Sequence, residues 1–347
     1  LTWEKSYKTN IGLEMMLWGK LNLTLDYYWE RRKDILIQRS SLPSMAGFDA
    51  SIYANMGEMD NKGVDANLEY QTRIGNKVGL RLFGNLTYSK NKIVFRDEPA
   101  MQYAYQKSEG TRYGEFYGYI AEGYFQSEEE IKKSPRQMRE LAPGDIKYKD
   151  LNDDGVIDAN DQCYLGKSWF PSWSYGMGFN INYHNFDLAL FFQGVSDVSI
   201  MANGGSIDTG NGDWGASGVG IVPFTGMGLN PSNVITKALD RWTADNPRAD
   251  AWYPRMTANA TTNDNNYVNS THWLKDGSYL RLKQASLGYT LENKKLMDKG
   301  IEYLYFYLSG QNLLTFSKFK LWDPELGSNG AKYPLSRMVT LGMRVSF

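Results

Sequence analysis

The sequence is short of the residues from which most catalytic sites are built. Among 347 residues there is one cysteine, Cys163, so no internal disulfide can form. Only two histidines occur, His184 and His272, and neither has a second histidine at ligand spacing, which removes the usual zinc motifs. No Gly-x-Ser-x-Gly or His-Glu-x-x-His run appears, so the common nucleophile and metalloprotease signatures are missing too. An excess of one charge is also lacking, since 38 Lys and Arg against 39 Asp and Glu leave a formal net charge of −1. Nucleic-acid binding needs a basic surface, and this balance argues against it. Long apolar runs are absent as well: the densest is Leu188–Phe192, against the roughly 18 residues a membrane helix requires. The chain opens LTWEKSYKTN, with no positive segment leading into an apolar one, so no signal peptide is read.

What is abundant points to β structure. There are 24 Tyr, 10 Trp and 34 Gly. That composition suits pleated strands joined by long loops. The strongest pattern has period two. Val339, Leu341, Met343, Val345 and Phe347 alternate with Met338, Thr340, Gly342, Arg344 and Ser346. Tyr175, Met177, Phe179, Ile181 and Tyr183 alternate with two glycines and two asparagines. After His184-Asn185, a tight-turn signal, the parity reverses, with Phe186, Leu188, Leu190 and Phe192 apolar.

Strands with one apolar and one polar face suit either a sandwich or a membrane barrel. Two features favour the barrel. The apolar faces are roughly 9–13 residues long, as a tilted strand needs to cross a bilayer, whereas sandwich strands run nearer 5–6. Connectors also alternate in length. Short links at 18–20, 74–77, 184–185 and 292–300 are interleaved with long ones at 39–60, 96–171, 201–276 and 317–335. Outer-membrane barrels have short periplasmic turns and long external loops. The pattern predicts about nine membrane strands, near 5–17, 21–38, 61–74, 78–95, 172–184, 185–200, 277–291, 301–316 and 336–347. An odd count cannot close a bacterial barrel, so the chain reads as the C-terminal part of a larger one. In YLRLKQASLGYTL the parity changes between Leu282 and Leu287, which predicts a β-bulge near Lys283-Gln284. Tyr27, Tyr28, Trp29, Tyr70, Tyr88, Tyr303, Tyr305 and Tyr307 sit near strand ends and read either as interface girdles or, equally well on their own, as ordinary strand-forming aromatics.

The long loops carry signals of their own. Ser127 followed by Glu130 is a capping box opening a short helix that must end before Pro135. Val234, Ile235, Ala238, Leu239 and Trp242 share one helical face. DLNDDGVIDAND, residues 150–161, fits a calcium loop: Asp150, Asn152 and Asp154 at alternate positions, Gly155 at the sharp turn, the Val156 carbonyl, then Asp158 and Asp161. Asp161 stands where Glu is usual and reaches less far, and no clear helix follows. The expectation is a structural calcium ion, with magnesium as the alternative, bracing an external loop. The plain alternative is an Asp/Asn/Gly turn that binds nothing.

Several of these stretches, in order, carry a resemblance: LTWEKSYKTNIGLE, MGEMDNKGVDANLEY, GYIAEGYFQ, PGDIKYKDLNDDGVIDANDQ, FDLALFFQGV, DRWTADNPRADAWYPR, SYLRLKQASLGYTL, LSGQNLLTFSKF, WDPELG and the terminal Phe347. Spanning nearly all of residues 1–347, the sequence resembles the C-terminal barrel portion of SusC/RagA-type TonB-dependent outer-membrane transporters. The resemblance implies an all-β transmembrane antiparallel barrel of about 22 strands, filled by a plug, with 96–171 and 201–276 as long extracellular loops. It also implies a SusD-like surface lipoprotein as lid, energy from TonB, and import of oligosaccharides or, in the RagA branch, peptides. The plug, the TonB-contacting segment and the remaining strands have no counterpart in this sequence.

Candidate site residues carry two readings each. Trp169, Trp214, Trp252 and Trp273 lie in long loops, where their rings could stack on sugars or simply anchor loop packing. Asp26, Glu30, Asp65, Glu69, Arg81, Arg281 and Arg344 fall on the polar faces and read as channel wall. Asp323-Pro324-Glu325 has the residues of a glycosidase acid pair but no visible partner. His184 and His272 read as turn and loop residues. Neither an enzyme nor an organic cofactor is expected. The competing readings are a secreted, calcium-stabilised, glycan-binding β-sandwich and an outer-membrane protease or lipase.

Overall fold

A computed structural model describes residues 1–42, 51–75, 77–203, 236–256, 264–298, 300–328, 330 and 333–347. Strands β1 (Lys5–Leu17), β2 (Leu21–Gln38), β3 (Tyr53–Ile74) and β4 (Val78–Phe95) run as an antiparallel meander. The chain then makes four short strands, β5 (Glu115–Gly118), β6 (Ala121–Tyr124), β7 (Ile146–Tyr148) and β8 (Cys163–Ser168). It returns through β9 (Trp173–Tyr183) and β10 (Phe186–Ser196), and leaves again through β11 (Ser199–Met201) and β12 (Leu274–Asp276). It ends with β13 (Tyr279–Leu291), β14 (Tyr303–Ser317) and β15 (Met338–Ser346). Nine of these form one sheet in the order β1-β2-β3-β4-β9-β10-β13-β14-β15, an open arc of barrel wall with β1 and β15 at its edges.

Residues directly opposite in an antiparallel pair point to the same side, so the registers sort the two faces. One row runs Leu25, Ala66, Leu86, Tyr175, and another Leu188, Leu287, Leu308, Leu341. These rows are open to the surroundings: Leu341 is 81% exposed and Val339 65%. A continuous exposed apolar face of this extent marks contact with lipid or a partner, not with water. The opposite face carries Asp26, Asp65, Thr87 and Ser174 in one row and Gln193, Arg281 and Thr315 in another.

The irregular points are local. The β10–β13 register jumps from Phe191↔Gln284 to Phe192↔Leu282, leaving Lys283 as the extra residue, the bulge the parity change requires. Asn312, opposite it on β14, takes φ 53°. The turn at His184-Asn185 has His184 at φ 51°. Most strand ends match the alternation. Strand β3 begins at Tyr53, earlier than read, and β10 stops at Ser196, where Asp197 turns at φ 54°.

The buried core lies outside the sheet. Phe116, Tyr119, Tyr124, Ile146, Tyr148, Ile157, Met201, Trp242, Tyr253 and Trp273 pack as one cluster, all from the two long connectors. Small pairs β5–β8, β6–β7 and β11–β12 frame it. The capping box is half formed: Ser127 Oγ accepts the Glu130 amide and opens helix α1 (Glu128–Lys133), which stops at Ser134, but the Glu130 carboxylate takes the Gln126 amide and not that of Ser127. The amphipathic helix expected over 234–242 is corrected. Val234 and Ile235 lie outside the described residues, and Thr236–Leu239 is a single 3-10 turn with Leu239 exposed while Ala238 and Trp242 enter the core.

Candidate functional site

The polar face of the sheet brings together every residue read as channel wall. Arg81 holds Glu69 through two hydrogen bonds, 2.8 and 3.1 Å, and lies 4.9 Å over the Phe83 ring. With Asn22, Thr24, Asn67 and Asn85 this pair lines a shallow hollow. Asp65 accepts the Thr87 hydroxyl at 2.7 Å and faces Asp26 across the β2–β3 pair. Glu30 accepts from Ser6 at 2.6 Å. Toward the short-link end, Arg344 lies over Tyr305, whose hydroxyl donates to Asp187 at 3.0 Å. Here the girdle assignment is corrected. Tyr27, Trp29, Tyr70 and Tyr88 belong to the apolar face, but Tyr28, Tyr303, Tyr305 and Tyr307 stand on the polar one, opposite Gly63, Ser346, Arg344 and Gly342. A Cβ at Gly288 would overlap the Tyr305 hydroxyl, so the missing side chain is what seats the ring.

Asp323 and Glu325 do have a partner. Arg281, fully buried on β13, reaches Asp323 at 2.6 Å and Glu325 at 3.3 Å. The arginine ties the connector after β14 to the wall, and neither carboxylate is free to act as a catalytic acid.

Above the wall, the loop body is held by a buried polar knot as well as by its apolar cluster. Asp145 is 1% exposed and takes a two-point contact from Arg255, 2.9 and 2.8 Å. It also accepts from Asn266 Nδ2 and the Ala142 amide, each at 2.8 Å. Four donors satisfy this carboxylate, as a buried charge requires. Trp273 is fully enclosed, its indole N–H donates to Asn266 O at 2.7 Å, and Trp252, Tyr253, Tyr267 and His272 pack around it. It has no free face for a sugar, which leaves it a core anchor. Trp252 is half-buried beneath Lys275, 5.1 Å above its ring. Burial pushes the His272 imidazole down to about 4 and the Lys275 ammonium down to about 8. Trp214 lies outside the described residues. Trp169 differs from the others: it is 39% exposed and adjoins exposed Phe170, which stacks on Tyr113. The Tyr113 amide donates to Asn91 Oδ1 at 2.7 Å, tying this aromatic group to the polar face of β4.

The acidic loop is wrapped about Gly155, at φ 82°. Asp150 accepts from the amides of Asp153 and Gly155 at 2.7 and 2.8 Å, and Asp154 Oδ1 from Val156 at 2.8 Å. Asn152 accepts the Asp154 amide at 3.1 Å. Asp158 caps the 3-10 turn Ala159–Asp161, and buried Asp161 accepts from Leu151 and Asp158. Each carboxylate oxygen so used keeps a second lone pair, but the side chains are turned to the loop's own amides. Among the described residues no three His, Cys, Asp or Glu side chains converge as a metal site.

Comparison with known proteins adds the following. The family described as TonB dependent receptor-like, beta-barrel, matches residues 1–313. TonB-dependent receptor P3 of Formosa agariphila is 28% identical across the whole of this chain, which covers 34% of that protein. TonB-dependent receptor SusC of Bacteroides thetaiotaomicron is 23% identical, again across the whole chain, with 32% of that protein covered. The chain therefore spans about a third of the length of the curated relatives it matches. The solved structure of the RagAB peptide transporter superposes with a TM-score of 0.72 at 23% identity, over 100% of this chain and 36% of that one. That likeness is one of fold.

Proposed function

The chain belongs to the TonB-dependent receptor-like β-barrel family, and on that premise we propose that it forms the C-terminal part of the barrel of an outer-membrane importer of oligosaccharides. The observation that carries this reading is the division of the nine-strand sheet into an exposed apolar face and a face lined by Glu69, Arg81, Asp65, Asp187 and Arg344. One face meets lipid and the other a water-filled or plugged passage. The plug, the remaining strands and the TonB-contacting segment complete the importer from outside this sequence, and a SusD-like lipoprotein closes over the loop body. The role is transport, without chemistry on the cargo.

Exposed Trp169 and Phe170, tied to the polar side of the rim, support glycan cargo, because flat apolar sugar faces stack on such rings. Peptide cargo is the second reading, suggested by the fold shared with the RagAB peptide transporter. Cells carrying the full-length importer separate the two. Trp169→Ala with Phe170→Ala should slow uptake of labelled oligosaccharides about tenfold or more while the barrel still assembles. Peptide uptake that falls in the same variant, with no oligosaccharide taken up by the parent, would favour the second reading.

The acidic loop completes the proposal: Asp150, Asn152, Asp154, the Val156 carbonyl, Asp158 and Asp161 hold a structural calcium ion, or magnesium in its place. Calcium should then protect residues 150–161 from protease, and Asp150→Ala with Asp154→Ala should remove that protection. Equal cleavage with and without calcium in the parent would mean an ordinary turn.

A further inference from the structure

Above the apolar band, the outward face of β2–β4 changes character. Its last aromatic row is Tyr27, Val64, Tyr88 and Trp173, with the Tyr88 and Trp173 rings 4.4 Å apart. One side-chain repeat higher, roughly 7 Å along the strands, the row reads Trp29, Lys62, Lys90. The next reads Arg31, Asp60, Lys92. Arg31 is spent on Glu58 at 2.9 Å and Asp60 at 3.6 Å, and Lys33 reaches Glu58 at 3.9 Å. Lys62, Lys90 and Lys92 are exposed and make no ion pair among the described residues. Lys62 and Lys90 stand directly opposite each other, an arrangement of like charges that costs stability unless an anion lies between them. On this same face the strand positions at the short-link end are apolar, with Leu17, Leu21, Ile74, Val78 and Val345, and the lysines described at that end, Lys20, Lys77, Lys294 and Lys295, lie in the links themselves.

We infer that Lys62, Lys90 and Lys92 form a ledge that binds the phosphate groups of lipid headgroups in the leaflet on the long-loop side. The occupant follows from position and charge. The ledge is continuous with the lipid-facing band, lies at headgroup depth above an aromatic row, and points away from the passage, so cargo and plug cannot reach it. Ammonium groups at an interface gain from anionic lipid by about a fivefold factor each. Three of them make a docking strip, and flanking Trp29 places an amphipathic ring at the same level. The inference rests on the membrane-barrel reading above.

The test uses the full-length importer, purified in detergent and exchanged into bilayers of neutral phosphatidylcholine containing a phosphorylated glycolipid or its dephosphorylated form. Lipid retained per protein is counted by native mass spectrometry. The parent should retain the phosphorylated lipid in preference. Lys62→Gln, Lys90→Gln and Lys92→Gln together should cut that retention roughly tenfold or more, while Lys→Arg at the same positions should preserve it. Inorganic phosphate at millimolar concentration should not displace the lipid. Equal retention by the parent and the folded Gln variant, or loss in the Arg variant, would overturn the ledge. Failure of the barrel reading has a different signature, since the parent would then stay soluble without detergent and show no heat-modifiable band.

Discussion

Replacing Asp145 with alanine should loosen the loop body and leave the barrel wall intact. The side chain is almost wholly buried and accepts four hydrogen bonds, two from Arg255 and one each from Asn266 and the Ala142 amide. Removing one member of a buried ion pair costs about 3–5 kcal/mol, because the remaining charge keeps its desolvation penalty and loses its partner. Asn266 is fully buried and also loses an acceptor. If local opening governs exchange, that loss speeds amide exchange by roughly a hundred- to several-thousand-fold. Hydrogen exchange read by mass spectrometry on peptides over 144–149 and 251–256 would measure it in the full-length protein. Peptides from β9, β10 and β13 serve as internal controls. Asp145→Asn, which keeps an acceptor oxygen but not the charge, should fall between the parent and the alanine variant. A change under tenfold, or an equal change in the sheet, would refute the view that the loops form a separately stabilised unit.

Three further outcomes follow from the same contacts. His272 is held near 4 in the folded loop body against 6.5 in the open chain, so the unfolded form takes the proton first. Stability is therefore lost as pH falls from about 6.5 to about 4, by up to about 3 kcal/mol, and His272→Gln should flatten that profile in tryptophan-fluorescence melts. Gly288→Ala should lower the temperature at which the folded band converts on gels, because the new Cβ overlaps the Tyr305 hydroxyl and the Asp187 carboxylate. Overpacking of this kind costs about 1–3 kcal/mol. Arg281→Met should free the connector carrying Asp323 and Glu325, seen as faster proteolysis within 318–328 and unchanged cleavage in the acidic loop.

The wall was legible in the sequence because a half-buried strand writes its two faces at period two. Val339 to Phe347 and Tyr175 to Tyr183 state their face residue by residue, and one parity fault located the bulge at Lys283. The signal fades where both faces become polar. Strand β3 continues back to Tyr53 through YANMGEMD, where no apolar alternation marks it. The tyrosines at 303, 305 and 307 were misassigned for another reason. Nearness to a strand end suggested a girdle, whereas their parity, opposite to Leu304, Phe306 and Leu308, already placed them on the polar side. Contacts distant in sequence left no trace. Arg281 meets Asp323 across 42 residues and Arg255 meets Asp145 across 110, and neither separation follows from any local pattern. The loop core was hidden likewise. Trp273 and Trp169 are both loop tryptophans in sequence, and only packing makes one an anchor and leaves the other at the rim.

The central claim is that the apolar face of this sheet meets lipid while the polar face meets the passage. Site-directed spin labels at Leu308 and Ser309 on β14, and at Leu341 and Thr340 on β15, test it in the full-length protein reconstituted in bilayers. Oxygen dissolved in the membrane should relax the labels at 308 and 341, and a water-soluble nickel chelate those at 309 and 340. Equal access of the nickel chelate to all four positions, or the reverse alternation, would contradict the account.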